Sequence, residues 1–472
     1  MRYLCTFSLL LLCHAMAWSR IVLPDLVGDR MVLQQNSRVK VWGEAVPGTI
    51  VTLATSWDGN CYSGQTSASG RWEIILQTPA GGYTPQTLHF GGDDSVTLRD
   101  VLIGEVWLAG GQSNMEMPLK GFANNPVKNG NYFIATAASR PFIRLFTVQR
   151  DTAYSPRSAC AGKWEKSTPD NVRNWSAVAS YYASTLQVAL NVPVGIINAS
   201  WGGSRIEAWM PAGDLYFYED FSPADITRTD IQVQHRPSLL YNGMLSPCSP
   251  YTIRGFIWYQ GCSNVDARMQ YDDKMMTFVN RLRTIWNIGE LPFYFVEIAP
   301  YEYSYGNSGA LLRELQFKAQ SLIPHSGMVC TNDLAEENEK HNIHPSDKQS
   351  VGERLAYWAL NRTYGFEGVA CQGPVYRSVE ISGDKAILSF DHAEDGFWPW
   401  EQITGFEIAG ADRIFLPAEA VVNRQRKTVT VHNAFVPAPV AVRYGFRNFL
   451  PGNLKNTAGL PVYPFRTDDF EE

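Results

Sequence analysis

An α/β fold, with a doubly wound parallel sheet flanked by N- and C-terminal β-sandwich-like regions, is what this 472-residue sequence predicts. Three observations carry that expectation. Short apolar runs suited to buried parallel strands occur at 105–109, 194–198, 253–259, 292–298 and 328–332. Stretches of helical periodicity, 176–190, 268–286, 310–322 and 346–360, alternate with them, as in a sheet covered on both faces. Before and after this block the texture is period-two alternation between turn residues, the pattern of antiparallel strands.

Taken in chain order, residues 1–17 are expected to be a secretory signal peptide. Arg2 precedes an apolar stretch from Tyr3 to Cys13, and Ala15-Met16-Ala17 supplies an A-x-A cleavage site. The run is far short of the ~20 residues a bilayer span needs. Leu12 is bulky where lipid attachment at Cys13 would need a small residue. Cleavage after Ala17 starts the mature chain at Trp18 and takes the net charge from −6 to −7. The expected location is outside the cell, in a bacterial periplasm or on the outer surface, with no membrane span.

Residues 18–100 form the first β region, with alternating runs at 38–43, 50–53 and 71–76, the last two following Pro47-Gly48 and Gly70. The α/β region spans 101–365, and its last helix opens with Ser346 and Asp347, good N-terminal residues. A second β region spans 366–472, with runs at 385–390, 405–408, 427–432 and 440–444. The two flanks are expected either as separate layers or packed on each other. Composition narrows the function. Lys plus Arg number 40 against 46 acids, without long runs, which excludes a dedicated nucleic-acid binder. Aromatic residues make up 12% of the chain, too many for disorder. Cys5 and Cys13 leave with the leader. Cys61, Cys160, Cys248, Cys262, Cys330 and Cys371 show no metal-ligand spacing, and are expected as free thiols with at most one bridge.

In doubly wound sheets ligands bind beyond the carboxyl ends of the strands, so chemistry is sought just after each one. The first strand runs into Gly110-Gly111-Gln112-Ser113-Asn114, which would expose Ser113 on a strand-to-helix turn. The G-x-S-x-G elbow of α/β-hydrolases is absent, and a helix cap is the plain structural role for such a serine. The second site strand runs into Trp201-Gly202-Gly203-Ser204-Arg205, where paired glycines let backbone N–H groups approach an oxyanion. Trp201 and Trp209 offer flat faces to a sugar, or else fill the core. The third ends at Gln260-Gly261-Cys262-Ser263-Asn264, where Asn264 is a neutral donor and Cys262 a rival nucleophile. His344, on the loop before the last helix, is placed to act as general base. Pro345 prevents a continuous helix through His341 and His344, and no third ligand is recognisable, so no metal is expected.

These four features in this order resemble the SGNH-type hydrolases, and more closely the sialate O-acetylesterase family. The matching strings are GEVWLAGGQSNMEMP, ASWGGSRIEAW, GFIWYQGCSN and NIHPSDKQSVGERLA, with DRMVLQQ, GFEIAG and GLPVYPFRTD in the flanks. The resemblance implies Ser113 as nucleophile and His344 as its base. It implies an oxyanion site of the Ser113 N–H, a glycine N–H at Gly203 or Gly202, and Asn264, with no cofactor. Gln112, Trp201, Arg205 and Trp209 are the expected substrate contacts, Arg205 as a partner for a sugar carboxylate. The chain departs from the SGNH pattern at His341, where an Asp usually precedes the histidine by three, and at Asn342. The group orienting His344 is left open among Asp333, Glu337, a backbone carbonyl and a bare Ser–His dyad. Cys262 stands where many relatives have Glu.

The expected activity is that of a secreted carbohydrate O-acetylesterase, acting on O-acetylated sialic acids through an acetyl-serine intermediate. The nearest alternative is an acetylesterase for xylan or another plant polysaccharide. Alternatives of other classes are a non-catalytic carbohydrate-binding protein and a lipid esterase. Asn174, Asn198 and Asn361 fit the N-glycosylation pattern, and a glycan on Asn198 would obstruct the site.

Overall fold

The structure, a computed structural model, describes residues 20–92 and 94–470. The leader expected at 1–17 lies outside these residues. At its centre is a long strand, β1 (Val96–Gly111), whose last seven residues are all buried. On one side it pairs with β3 (Val194–Ser200), which pairs with β2 (Ile143–Thr147). On the other side follow β4 (Gly255–Tyr259), β5 (Phe293–Val296) and β6 (Ser326–Val329). The order is β6-β5-β4-β1-β3-β2, parallel throughout, with Trp164–Lys166 added antiparallel at the β2 edge. The connection leaving β1 runs towards the β2 edge and the one leaving β4 runs towards the β6 edge, so the two diverge between the carboxyl ends of β1 and β4. That divergence is where a doubly wound sheet leaves an open crevice.

Alternation along the strands sorts the core into two faces. Trp107, Ala109, Ile257, Tyr259, Tyr294 and Val296 pack towards α1 (Ala177–Leu190) and α4 (Lys348–Trp358). Val106, Leu108, Phe256, Trp258, Phe293 and Phe295 pack towards α2 (Tyr271–Trp286) and α3 (Ser308–Leu322). The expected doubly wound α/β sheet is present, with every expected strand and helix of this region in place. The sequence reading did not include β2. Its Arg144 is buried, with the guanidinium bonded to the carbonyls of Pro141 and Ile143 and to Asp100, so a charged residue interrupts an otherwise apolar run.

The first half of β1 pairs antiparallel with Gly82–Gly91 and parallel with Val32–Gln34. The N-terminal β layer thus shares a strand with the central sheet. It shares a core as well, since Val39, Val41, Leu53 and Trp72 belong to one cluster with Val106 and Leu108. The C-terminal region has four-stranded antiparallel sheets around its own core of Ile408, Leu388, Val429, Val431 and Val442. It docks on the β6 side, where Tyr463 Oη donates to the Met328 carbonyl at 2.5 Å and Arg313 Nη2 to the Gly445 carbonyl at 3.0 Å. Among the described residues no helix is long and apolar enough to cross a membrane.

Candidate active site

Gly111 creates the turn that exposes Ser113. Its φ is +134°, and a Cβ there would lie 2.2 Å from the Tyr259 carbonyl oxygen, so only glycine lets β1 end this close to β4. Gln112 follows, nearly fully buried, with its N–H on the Tyr259 carbonyl and its Oε1 accepting the Gly261 N–H at 2.7 Å. Ser113 then opens a single helical turn, Ser113–Glu116, and is half-buried. Among the described residues the N–H of Ser113 and the Nε2 of Gln112 have no protein acceptor.

The next residue ties this turn to the histidine loop. Asn114 Nδ2 donates to the Ile343 carbonyl at 3.0 Å, and Asn114 Oδ1 accepts from Lys348 Nζ at 2.8 Å. Lys348 also donates to the Pro345 carbonyl at 2.5 Å. His344 thus sits on a segment held from both sides against the Ser113 turn, and its ring packs edge-on against Phe122 at 5.3 Å. Its ring makes no hydrogen bond to Ser113 Oγ in this structure. Catalytic hydrogen bonds are often long in free enzymes and tighten in the substrate complex.

Electrostatics keep His344 a neutral base. Burial, then the Lys348 ammonium, push it down to about 4. Burial likewise brings Lys348 down to about 7, against the opposing pull of Glu339, Cys262 and Asp347. Asp333 does not orient the imidazole, because its carboxylate is committed to Arg354 at 2.7 Å and Lys455 at 2.7 Å. Asn342 braces the backbone of His344 through both its N–H and its carbonyl. No carboxylate is recorded as bonded to the His344 ring among the described residues. Cys262 is disfavoured as a nucleophile, since burial pushes its thiol up despite the Tyr303 hydroxyl and the Lys348 cation.

The glycine turn after β3 lies against the nucleophile. A Cβ on Gly202 would come 3.3 Å from Ser113 Cβ. Gly202 N–H donates to Glu116 Oε2 at 2.8 Å, whereas Gly203 N–H has no acceptor among the described residues. Trp201 is half-buried, with the Arg150 guanidinium 5.2 Å above its ring. Beside it is a cavity of about 330 Å³ lined in part by Glu116, Lys120, Phe122, Arg150, Asn198 and Ser200.

Two expected contacts are corrected. Trp209 has no exposed surface: its indole donates to Ser204 Oγ and packs edge-on against Trp258, so it fills the core and offers no face to a sugar. Asn264 is also fully buried. Its Nδ2 lies 3.2 and 3.0 Å from the Glu207 oxygens, and its Oδ1 accepts from Ile206 N–H and Gln260 Nε2. It is committed to a network running through Glu207 to the buried Lys274 and on to Asp220, not to an oxyanion. The network holds the segment just after the glycine turn, at Ser204, Ile206 and Glu207. Arg205 donates to the Ser263 carbonyl and joins the same two loops. Asn198 is buried in β3, its Oδ1 accepting from Ser200 Oγ, and that burial leaves no room for a glycan in the folded chain.

Sequence reasoning missed Glu116, Asn114 and Lys348. All lie inside the quoted motifs, but their partners are distant in sequence. Among the described residues, no His, Cys, Asp and Glu side chains are grouped to hold a metal.

Comparison with known proteins places the chain in a family. The family model described as carbohydrate esterase, sialic acid-specific acetylesterase, matches residues 103–361. A crystal structure of a carbohydrate acetylesterase from Xanthomonas citri is 34% identical, covers 96% of this chain and all of its own, and superposes with a TM-score of 0.84. The sialate O-acetylesterase of Mus musculus is 26% identical over 93% of both chains, and that of Homo sapiens 25% identical over 78% of this chain and 75% of its own. The chain belongs to the sialic acid-specific acetylesterase family of carbohydrate esterases and is a carboxylic ester hydrolase.

Proposed function

We propose that this chain is an exported O-acetylesterase that removes acetyl groups from O-acetylated sialic acids through an acetyl-serine intermediate. The observation that carries the chemistry is the Asn114 bridge, which binds the Ser113 turn to the His344 loop. Ser113 Oγ attacks the acetyl carbonyl carbon while His344 takes its proton. The resulting oxyanion is received by the N–H groups of Ser113 and Gly203 and by Gln112 Nε2, the donors without protein acceptors. Collapse expels the sugar oxygen, which regains a proton from His344. Water, deprotonated by His344, then attacks the acetyl-serine carbonyl; collapse expels Ser113 Oγ, which takes the proton back from His344, and acetate leaves. Asn264 holds Ile206 and Glu207, just after the glycine turn. The sialate substrate is supported by the names of the curated relatives and by the basic Lys120 in the adjacent cavity. Export is supported by the leader pattern in residues 1–17.

Ser113→Ala and His344→Ala are each expected to lower kcat/KM for 4-nitrophenyl acetate by about 1,000-fold or more. Near-wild-type rates in either variant would sink the mechanism. Acetate release from O-acetylated sialic acid compared with acetylated xylan decides the sugar; a preference for xylan overturns the sialate assignment. Binding of these glycans without turnover of any acetyl ester would return the chain to the non-catalytic class.

A further inference from the structure

We propose that Glu116 is a positioning residue of the oxyanion site, holding the Gly202–Gly203 turn so that the Gly203 N–H is presented beside Ser113. This rests on the Ser113–His344 reading. Glu116 is three residues after the nucleophile and in the same helical turn, and its own N–H is bonded to the Gln112 carbonyl. Its backbone is therefore fixed relative to Ser113. Its carboxylate gathers the loops that follow three neighbouring strands. Oε2 accepts the Gly202 N–H at 2.8 Å, and Oε1 accepts Arg150 Nε at 3.0 Å, with Arg150 Nη2 close by. Arg150 in turn lies over Trp201, the residue before the two glycines.

The need for such an anchor follows from the turn itself. Gly203 adopts φ +74°, and two consecutive glycines leave their shared peptide free to rotate unless something holds each end. One end is held by Glu116 at the Gly202 N–H. The other is held by His235, whose Nε2 lies 2.8 Å from the Gly203 carbonyl. Only the peptide between them is left with an uncommitted N–H, that of Gly203. The packing is tight as well: a Cβ on Gly202 would lie 2.9 Å from Glu116 Oε2 and 3.3 Å from Ser113 Cβ. A carboxylate so engaged is not a general base. Its effect on the reaction passes through the direction of one amide.

The test compares Glu116→Ala with Glu116→Gln on 4-nitrophenyl acetate, with Ser113→Ala as reference. Loss of a single oxyanion donor costs about 100- to 1,000-fold in kcat. Glu116→Ala is expected to approach that loss while KM changes little, and its affinity for a boronic acid forming a tetrahedral adduct on Ser113 should fall in parallel. Glu116→Gln keeps an oxygen for the Gly202 N–H and should recover most of kcat, with a melting temperature close to wild type. A kcat that is unchanged or raised in Glu116→Ala, with Ser113→Ala inactive, overturns this proposal alone. So does a folded Glu116→Gln as impaired as Glu116→Ala. Activity in Ser113→Ala overturns the underlying reading and this proposal with it.

Discussion

At the scale of single residues, the protonation of His344 is set by its surroundings. With the imidazole pushed down to about 4, the neutral form persists as pH falls from 7 towards 5. The acid limb of kcat/KM for 4-nitrophenyl acetate is therefore expected below pH 5, and not near the ordinary histidine value of 6.5. Burial is the larger cause and the Lys348 cation the second. Lys348→Met should then move the limb upward in pH without carrying it fully to 6.5. An unshifted limb would refute the electrostatic link. Lys348 also links to stability. Its folded value of about 7, below the usual 10.5, means the unfolded chain binds more protons between those values, so stability should rise as pH rises through that interval. The sequence shows Lys348 only as a polar residue early in a helix. Its burial follows from Asn114 and Pro345, which close over it from two distant segments.

At the scale of elements, the site depends on where strands stop. β1 and β4 pair Gly111 with Tyr259 at their carboxyl ends, where a Cβ on Gly111 would lie 2.2 Å from the Tyr259 carbonyl oxygen. Gly111→Ala is expected to destabilise the protein by about 3 kcal/mol or more, from overpacking together with a disfavoured φ. Denaturant unfolding checks this; a wild-type midpoint would show that the strand end can shift. The local order of these elements was legible, because apolar runs followed by glycine and polar clusters mark buried strands entering a crevice. The partners of the polar residues were not. Asn264 looks like a donor in a loop, yet Ile206, Gln260 and Glu207 absorb its whole amide. Trp209 could face a sugar or a core, and only its contact with Trp258 decides for the core. β2 stayed hidden because buried Arg144 is neutralised by carbonyls and by Asp100, which no local pattern signals.

At the scale of the whole molecule, the β regions are structural supports of the catalytic sheet. β1 carries the N-terminal layer on its first half, and the C-terminal layer covers Arg313, which is 2% exposed and donates to carbonyls of Gly445 and Arg447. A chain ending at residue 365 would strip those carbonyls from a buried guanidinium and remove the Asn448 side chain that accepts the Gly309 N–H at the start of α3. It is expected to be insoluble or to melt well below the full chain, because an uncompensated buried charge is costly. A soluble truncated chain with wild-type melting temperature and acetylesterase activity would show the C-terminal layer to be dispensable. The sequence by itself determined the class of fold and the order of the motif-bearing turns, since periodicity and local turn chemistry are properties of neighbours along the chain; Ser113 and His344 were singled out by the family resemblance of those turns. Only the tertiary structure decided which donors remain free, that Glu116 grips Gly202, and that the charge felt by His344 is that of a lysine where a carboxylate was sought. Those outcomes depend on burial and on partners far apart in sequence, which form only when strands, loops and helices close on one crevice.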